Sequence, residues 1–210
     1  MKTRKLRKFL MLLASALMLV SVTVGATVAY LTDTASVTNT FTVGKVGLTL
    51  DEAKVNTDGT YVTDSTNRGS DNVYHLIPGK TYIKDPTVHI AADSEKGILF
   101  VKVENGIADI EDETDTIAAQ MAARGWKALD GVANVYYHEE LVQKSQNIIV
   151  FDHFTIGGNV TKETLAAYAD NVVKVTAYLI QAEGFVKDGV INYTGAWTAA
   201  PDNWKDAAGN

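Results

Sequence analysis

The segment His138-Glu139-Glu140-Leu141-Val142 contains part of the helical zinc motif of metalloproteases. That motif needs two histidines one helical turn apart and a glutamate as general base, because this spacing brings both imidazoles to one metal ion. Val142 stands where the second histidine would be. The other histidines, His75, His89 and His153, are dispersed, although two of them could converge across neighbouring strands. We therefore expect no catalytic metal and no enzymatic activity.

Other catalytic signatures are missing from the sequence as well. The chain has no cysteine, no serine within a G-x-S-x-G elbow and no phosphate-binding glycine loop, so a nucleophilic hydrolase and a nucleotide-using enzyme are both disfavoured. The lack of cysteine also excludes disulfides, a lipid-anchored cysteine and thiolate metal sites. We expect no cofactor, and a fold that is stabilised by packing alone.

The acidic run Asp109–Asp115 has two interpretations. Ile117, Met121 and Arg124 follow it at helical spacing and Gly125 suits the helix end, so the acids can complement a helix dipole, by roughly 0.3–1 kcal/mol each at the surface. Calcium binding is the alternative, although the spacing of an EF-hand loop is absent. The sequence leaves calcium binding open.

Aromatic residues could form a platform on which a sugar ring stacks. The candidates are Trp126, Tyr136, Tyr137, Trp197 and Trp204. Aromatic side chains in a β-rich protein more often pack in the core or on a sheet face. Glycan binding is therefore kept as an alternative function.

The amino-terminal segment has the pattern of an export signal. Five basic residues within Met1–Lys8 precede the apolar run Phe9–Val24, which is typical of a signal peptide that is removed during export. Small residues follow, and cleavage after Ala26 or after Ala29 would suit a signal peptidase. We favour residues 1–29 as the signal peptide, with cleavage between Ala29 and Tyr30, and we expect membrane contact only through the uncleaved signal.

The charge of the exported chain excludes one class of partner. The complete chain has 19 basic and 25 acidic residues. Without the five basic residues of the signal, 14 basic and 25 acidic residues remain, which gives a net charge near −11. A strongly acidic protein is repelled by phosphate backbones, so we expect no binding to nucleic acid.

A strand with period two follows the predicted cleavage site. Val37, Phe41 and Val43 lie on one face together with the polar Asn39, and threonines occupy the alternate positions, so one face is apolar and the other polar. Apolar residues alternate again over residues 46–50, which predicts a second strand or a bulged continuation. The exported chain therefore begins with an edge that can pair.

The runs AYLTDTASVTNTFTVGKVGLTLDE and YHLIPGKTYIKDPTVHI resemble the TasA and camelysin family of exported proteins. Members of that family carry an A-[YF]-x-[TN]-D boundary that is processed by a dedicated SipW-type signal peptidase. The resemblance implies a jelly-roll β-sandwich at the cell surface or in the matrix. In TasA it also implies a fibre-forming subunit of biofilm, and in camelysin a metalloprotease.

The remaining sequence predicts many short strands with two helices between them. Residues 97–104 are predicted as a central strand and residues 171–183 as a long strand in the middle of a sheet, while Pro78-Gly79 fits a type II turn. The helices are predicted at 117–124 and, with Thr161 as N-cap, at 161–171. We therefore predict one mainly β domain over residues 30–210. It is an antiparallel two-sheet, jelly-roll-like sandwich with two short inserted helices and an irregular C-terminal tail.

Assembly is the function that this reasoning favours. A strand carrying Val37, Phe41 and Val43, released by a SipW-type peptidase, can pair with the sheet of a neighbouring copy. Repeated head to tail, such a contact does not close and produces a fibre. We expect a secreted biofilm fibre subunit or accessory that associates with itself or with other matrix proteins. The alternatives are a monomeric surface module, such as a glycan binder, and a camelysin-like surface metalloprotease.

Overall fold

The structure, a computed structural model, describes residues 45–70, 72–168 and 173–201. Its strands are β1 (Leu48–Ala53), β2 (Arg68–Gly69), β3 (Thr81–Ile83), β4 (Thr87–Ile90), β5 (Gly97–Asn105), β6 (Trp126–Ala128), β7 (Val135–His138), β8 (Asn147–Ile149), β9 (His153–Thr155), β10 (Val173–Gln181), β11 (Val186–Lys187) and β12 (Val190–Ile191). Its α-helices are α1 (Ile117–Ala123), α2 (Lys162–Ala166) and α3 (Tyr193–Ala199), and a single 3-10 turn spans Ala108–Ile110.

Two four-stranded sheets carry the fold. Their strand orders are β2-β1-β4-β8 and β10-β5-β7-β6, and β3 pairs with β9 and β11 with β12. Each of these pairings is antiparallel. Val88 and Ile90 of β4 and Leu99 and Val101 of β5 share one buried cluster, so the main core lies between the two sheets. The mainly β, antiparallel class is confirmed, and the jelly-roll connectivity stays a prediction.

Strand β5 is central, as predicted. It pairs with β10 along its whole length on one edge and with β7 on the other. Leu99 and Val101 face the main core, whereas Ile98 and Phe100 face a second buried cluster on the outer side of the sheet. A strand covered on both faces is apolar at successive positions, which explains the continuous run of apolar residues at its start.

The second cluster is closed by a helix that the sequence did not reveal. In α3, Ala196 and Trp197 are buried against Phe100 and Tyr178. The irregular tail expected here is replaced, over residues 184–199, by the hairpin β11–β12 and by α3. Both predicted inserted helices are present, and α3 is a third helix that the sequence did not predict, because a seven-residue helix with two adjacent buried positions shows no helical periodicity.

Helix α1 is capped at both ends. The Thr116 side chain accepts a hydrogen bond from the Ala119 N–H, and Gly125 has φ +82° at the position predicted to end the helix. The first turn contains no acidic residue, so the acidic run does not complement the helix dipole from within the helix. Instead, the Glu111 carboxylate accepts a hydrogen bond from the Ile117 N–H at 3.1 Å.

Helix α2 confirms the predicted cap but is shorter than expected. The Thr161 side chain accepts a hydrogen bond from the Thr164 N–H, and Leu165 and Tyr168 pack against the main core. The helix ends at Ala166. A helix of five residues is unstable by itself, so the packing of Leu165 and Tyr168 against the core stabilises it.

The turn at Pro78-Gly79 is confirmed, whereas the position predicted for β10 is not. The Lys80 N–H donates to the Ile77 carbonyl at 3.2 Å, and Gly79 has φ +70°, as a type II turn requires. Among the described residues β10 is the outermost strand of its sheet, with β5 as its neighbour. Its expected place in the middle of a sheet was therefore wrong for this part of the chain.

Candidate functional site

A groove of about 1090 Å³ opens between β1 and the start of β10. Leu50 of β1 lines one side, Val173 and Val175 of β10 line the other, and the segment 72–78 and helix α2 complete the walls. All of these elements belong to the compact unit that contains the two sheets. The groove is therefore built by one domain.

The lining of this groove is mostly apolar. Tyr74, Leu165 and Val175 are half-buried and pack on the main core while they face the groove. Val73 and Ile77, which also line it, are 71% and 44% exposed. Exposed apolar side chains gathered in one groove are typical of a binding site.

The sheet edges beside the groove suit an extended peptide. Within the described residues, one edge of β10 has no strand partner. Strand β1 pairs with β4 on one side, but on its other side β2 meets it at Glu52 and Ala53 alone. Main-chain groups on such edges can accept an added strand, and the apolar floor can receive alternate side chains of that strand.

A charged network holds β2 in place beside the groove. The Arg68 guanidinium donates to Asp51, to Asp85 Oδ2 at 2.8 Å and to Thr87 Oγ1 at 2.9 Å. Burial raises the pKa of Asp51, but hydrogen bonds from Arg68 and His89 outweigh it and hold that pKa below its usual value. The network therefore ties β1, β2 and the start of β4 together on this side of the groove.

The four histidines lie in four separate elements. His75 is in the exposed segment before the Pro78 turn, His89 is in β4, His138 ends β7 with its ring against Trp126, and His153 begins β9. Within residues 45–70, 72–168 and 173–201, no group of three or more histidine or acidic side chains could hold a metal ion.

His153 lies between two carboxylates. Its Nε2 is 2.6 Å from Asp115 Oδ2, its Nδ1 contacts Asp152, and Arg124 contacts the same Asp152 carboxylate. Burial lowers the pKa of His153, but the hydrogen bonds to Asp115 and Asp152 outweigh it and raise the pKa above its usual value. When it is protonated, the imidazole therefore joins the start of β9 to Asp115, two residues before α1, and to Asp152, which precedes β9.

We expect this histidine to make stability depend on pH. Its pKa is higher in the folded than in the unfolded chain, so its contribution is complete below the unfolded value of about 6.5 and is lost as the pH rises through the folded value. Urea unfolding of wild type and His153→Gln across this range should show a difference in free energy that shrinks as pH increases. A difference that stays constant with pH would contradict the assignment.

The aromatic candidates do not form one exposed platform. Trp126 is buried in the main core and Trp197 in the second core. Tyr136 is half-buried against the main core, and Tyr137 stacks on Tyr193 with ring centroids 3.8 Å apart. Trp204 lies outside the described residues. The described members of this set therefore form no shared stacking surface.

The acidic run has separate partners instead of a shared centre. Asp112 accepts hydrogen bonds from Thr114, and Asp115 binds His153. Asp109 accepts from the Tyr168 hydroxyl at 3.3 Å. These contacts organise a turn and the entry to α1.

The residues predicted for processing and assembly all lie outside the described part of the chain. They are Ala29 and Tyr30 at the cleavage site and Val37, Phe41 and Val43 in the assembly strand. Sequence reasoning missed the groove walls, above all Tyr74 and Leu76. The alternation of Tyr74 and Leu76 with His75 and Ile77 was the available signal.

The amino-terminal third of the chain is similar to one known protein family. The family model described as camelysin metallo-endopeptidase matches residues 5–68. The resemblance to the TasA and camelysin family is confirmed. The camelysin match ends at β2 and indicates a cell-surface or exported protein. No curated protein and no solved structure matches the chain.

None of the helices in the described part of the chain is long and apolar enough to cross a bilayer.

Proposed function

We propose that this camelysin-type protein is a structural component of the cell surface or extracellular matrix that assembles by strand exchange. The segment carrying Val37, Phe41 and Val43 in one copy occupies the groove between β1 and β10 of the next copy. The observation that carries this proposal is the apolar groove beside the edge of β10 that has no strand partner among the described residues.

The chemistry of the segment matches that of the groove. An added strand pairs its main chain with a sheet edge and sends every second side chain to one face. In this segment that face carries Val37, Phe41 and Val43, while the opposite face carries threonines. The apolar face covers Leu50, Val175 and their neighbours, and the threonines remain in water.

The geometry of such a contact produces a polymer. The donor segment and the acceptor groove are different surfaces of the same chain, so each copy can receive one strand and donate another. A SipW-type signal peptidase that cuts between Ala29 and Tyr30 would release the donor. Processing would thereby couple export to assembly.

The test compares chains that begin at Tyr30 and at Gly44. We expect the longer chain to form fibres visible by electron microscopy and large species in size-exclusion chromatography, and the shorter chain to stay monomeric. A synthetic peptide of residues 30–43 should bind the shorter chain and raise its melting temperature. Equal oligomerisation of the two chains, without stabilisation by the peptide, would contradict strand exchange and favour a monomeric module.

A surface metalloprotease is the second candidate, since the matching family is described as a metallo-endopeptidase. Casein hydrolysis by the homogeneous protein, with and without a chelator, tests it. We expect no hydrolysis that depends on metal. Activity that is lost with chelator and restored by zinc would establish the enzyme instead.

A further inference from the structure

We propose that Lys84 and Asn72 become joined by an amide bond between their side chains, with Glu52 transferring the protons. The three side chains meet where β1, the segment after β2 and the end of β3 come together. Lys84 Nζ donates to Glu52 Oε2 at 2.6 Å, and Asn72 Nδ2 donates to Glu52 Oε1 at 3.0 Å. One carboxylate therefore bridges an amine and an amide.

The amine and the carboxylate are largely removed from water. The Lys84 and Glu52 side chains are 11% and 8% exposed. An isolated surface ion pair needs no such burial, and burying two charges costs free energy that their attraction only partly returns. In this setting a proton can pass along the 2.6 Å hydrogen bond from Nζ to Oε2, which leaves a neutral amine and a carboxylic acid.

The amide of Asn72 is held as an electrophile. Its Oδ1 accepts a hydrogen bond from the Val55 N–H at 3.0 Å, which polarises the carbonyl and stabilises negative charge on that oxygen during attack. Its Nδ2 donates to the Ala53 carbonyl at 2.7 Å as well as to Glu52. Nδ2 is therefore fixed by β1 and Oδ1 by Val55, two residues after the end of β1. The group that must leave, Nδ2, already contacts Glu52, the proton carrier.

An aromatic ring covers the site. The Tyr74 ring centre lies 6.0 Å from Lys84 Nζ, and the Tyr74 hydroxyl donates to the Ile83 carbonyl at 3.0 Å. Burial raises the pKa of Tyr74 above its usual value, since it disfavours the phenolate. The ring restricts water on one side of the amine, and a poorly hydrated amine is a better nucleophile than a solvated ammonium.

The reaction balances without any further reagent. Lys84 Nζ attacks Asn72 Cγ, the Nζ–Cγ bond forms, and the Cγ–Nδ2 bond breaks. Glu52 takes the proton that Nζ loses and gives a proton to Nδ2, which leaves as ammonia. The acid then protonates the ammonia, so the products are the cross-linked chain, ammonium and the Glu52 carboxylate. No atom is oxidised or reduced.

Mass spectrometry of the full chain tests the bond. The wild type should weigh less than its sequence by about 17 Da, the mass of one ammonia molecule. Trypsin cuts after Arg68, Lys80, Lys84 and Lys96, so a chain without the cross-link gives residues 69–80, 81–84 and 85–96 as separate peptides. A cross-link keeps them together as one branched peptide that lacks cleavage at Lys84. Fragmentation should place the bond between Asn72 and Lys84.

Three variants complete the design. Glu52→Gln keeps the shape of the proton carrier and should retain the full mass, as should Lys84→Arg. Glu163→Gln changes an exposed residue of α2 and should show the wild-type deficit. This bond does not depend on the strand exchange proposed above, because all its atoms belong to one copy.

Two results would overturn the proposal. One is a wild-type chain of full mass, which would leave the three residues as a hydrogen-bonded ion pair. The other is a deficit confined to the separate peptide 69–80, which would indicate cyclisation of Asn72 on its own backbone. Wild-type protein held in urea from the start should also keep its full mass, since the reaction needs the folded arrangement.

Discussion

Replacing Phe41 by Asp should abolish fibre formation, whereas Thr40→Asp should leave it almost intact. Phe41 lies on the apolar face of the predicted assembly strand and Thr40 on the opposite face. Burying a Phe side chain stabilises by roughly 1.5–3 kcal/mol, and an unpaired carboxylate in an apolar groove adds a penalty. Together these effects should weaken each contact by a factor of more than about 100.

The measurement is the critical concentration for assembly of the chain that begins at Tyr30. Both variants add one negative charge to the same segment, so a general effect of charge would affect them equally. A raised critical concentration for the Phe41 variant alone supports insertion of the apolar face. Similar behaviour of the two variants would mean that the segment does not place Phe41 in a neighbour's groove.

Features set by a few adjacent residues were predictable from the sequence. Thr161 caps α2 because its hydroxyl lies three residues before a free N–H. Pro78 and Gly79 make the expected turn because each residue already prefers the backbone angles of its position. The continuous apolar start of β5 likewise indicated a central strand. Each of these signals is local.

Features that depend on distant contacts were not predictable. The apolar run of β10 suggested a central strand, but its partners are decided by other segments of the chain. The groove forms because α2 and the segment 72–78 meet β1 and β10 in space. Similarly, Asn72 and Lys84 are unremarkable in sequence, and their importance comes from a shared contact with Glu52.

Replacing Trp197 by Ala should remove roughly 3–5 kcal/mol from the free energy of unfolding. This side chain is 6% exposed, and its ring centre is 5.2 Å from that of Phe100 and 5.7 Å from that of Tyr178. It is the largest side chain by which α3 covers the outer face of β5. Without it, the second core is left with a cavity beside two aromatic rings.

Urea unfolding with circular dichroism measures the loss, and Thr194→Ala, an exposed change in the same helix, is the matched control. We expect the control to stay within about 0.5 kcal/mol of wild type. A loss below about 1 kcal/mol for Trp197→Ala would mean that α3 does not close the second core. A loss of several kcal/mol in the free energy of unfolding would mean that residues 193–199 fold together with the sheets. Helix α3 would then complete the domain by covering the second face of β5.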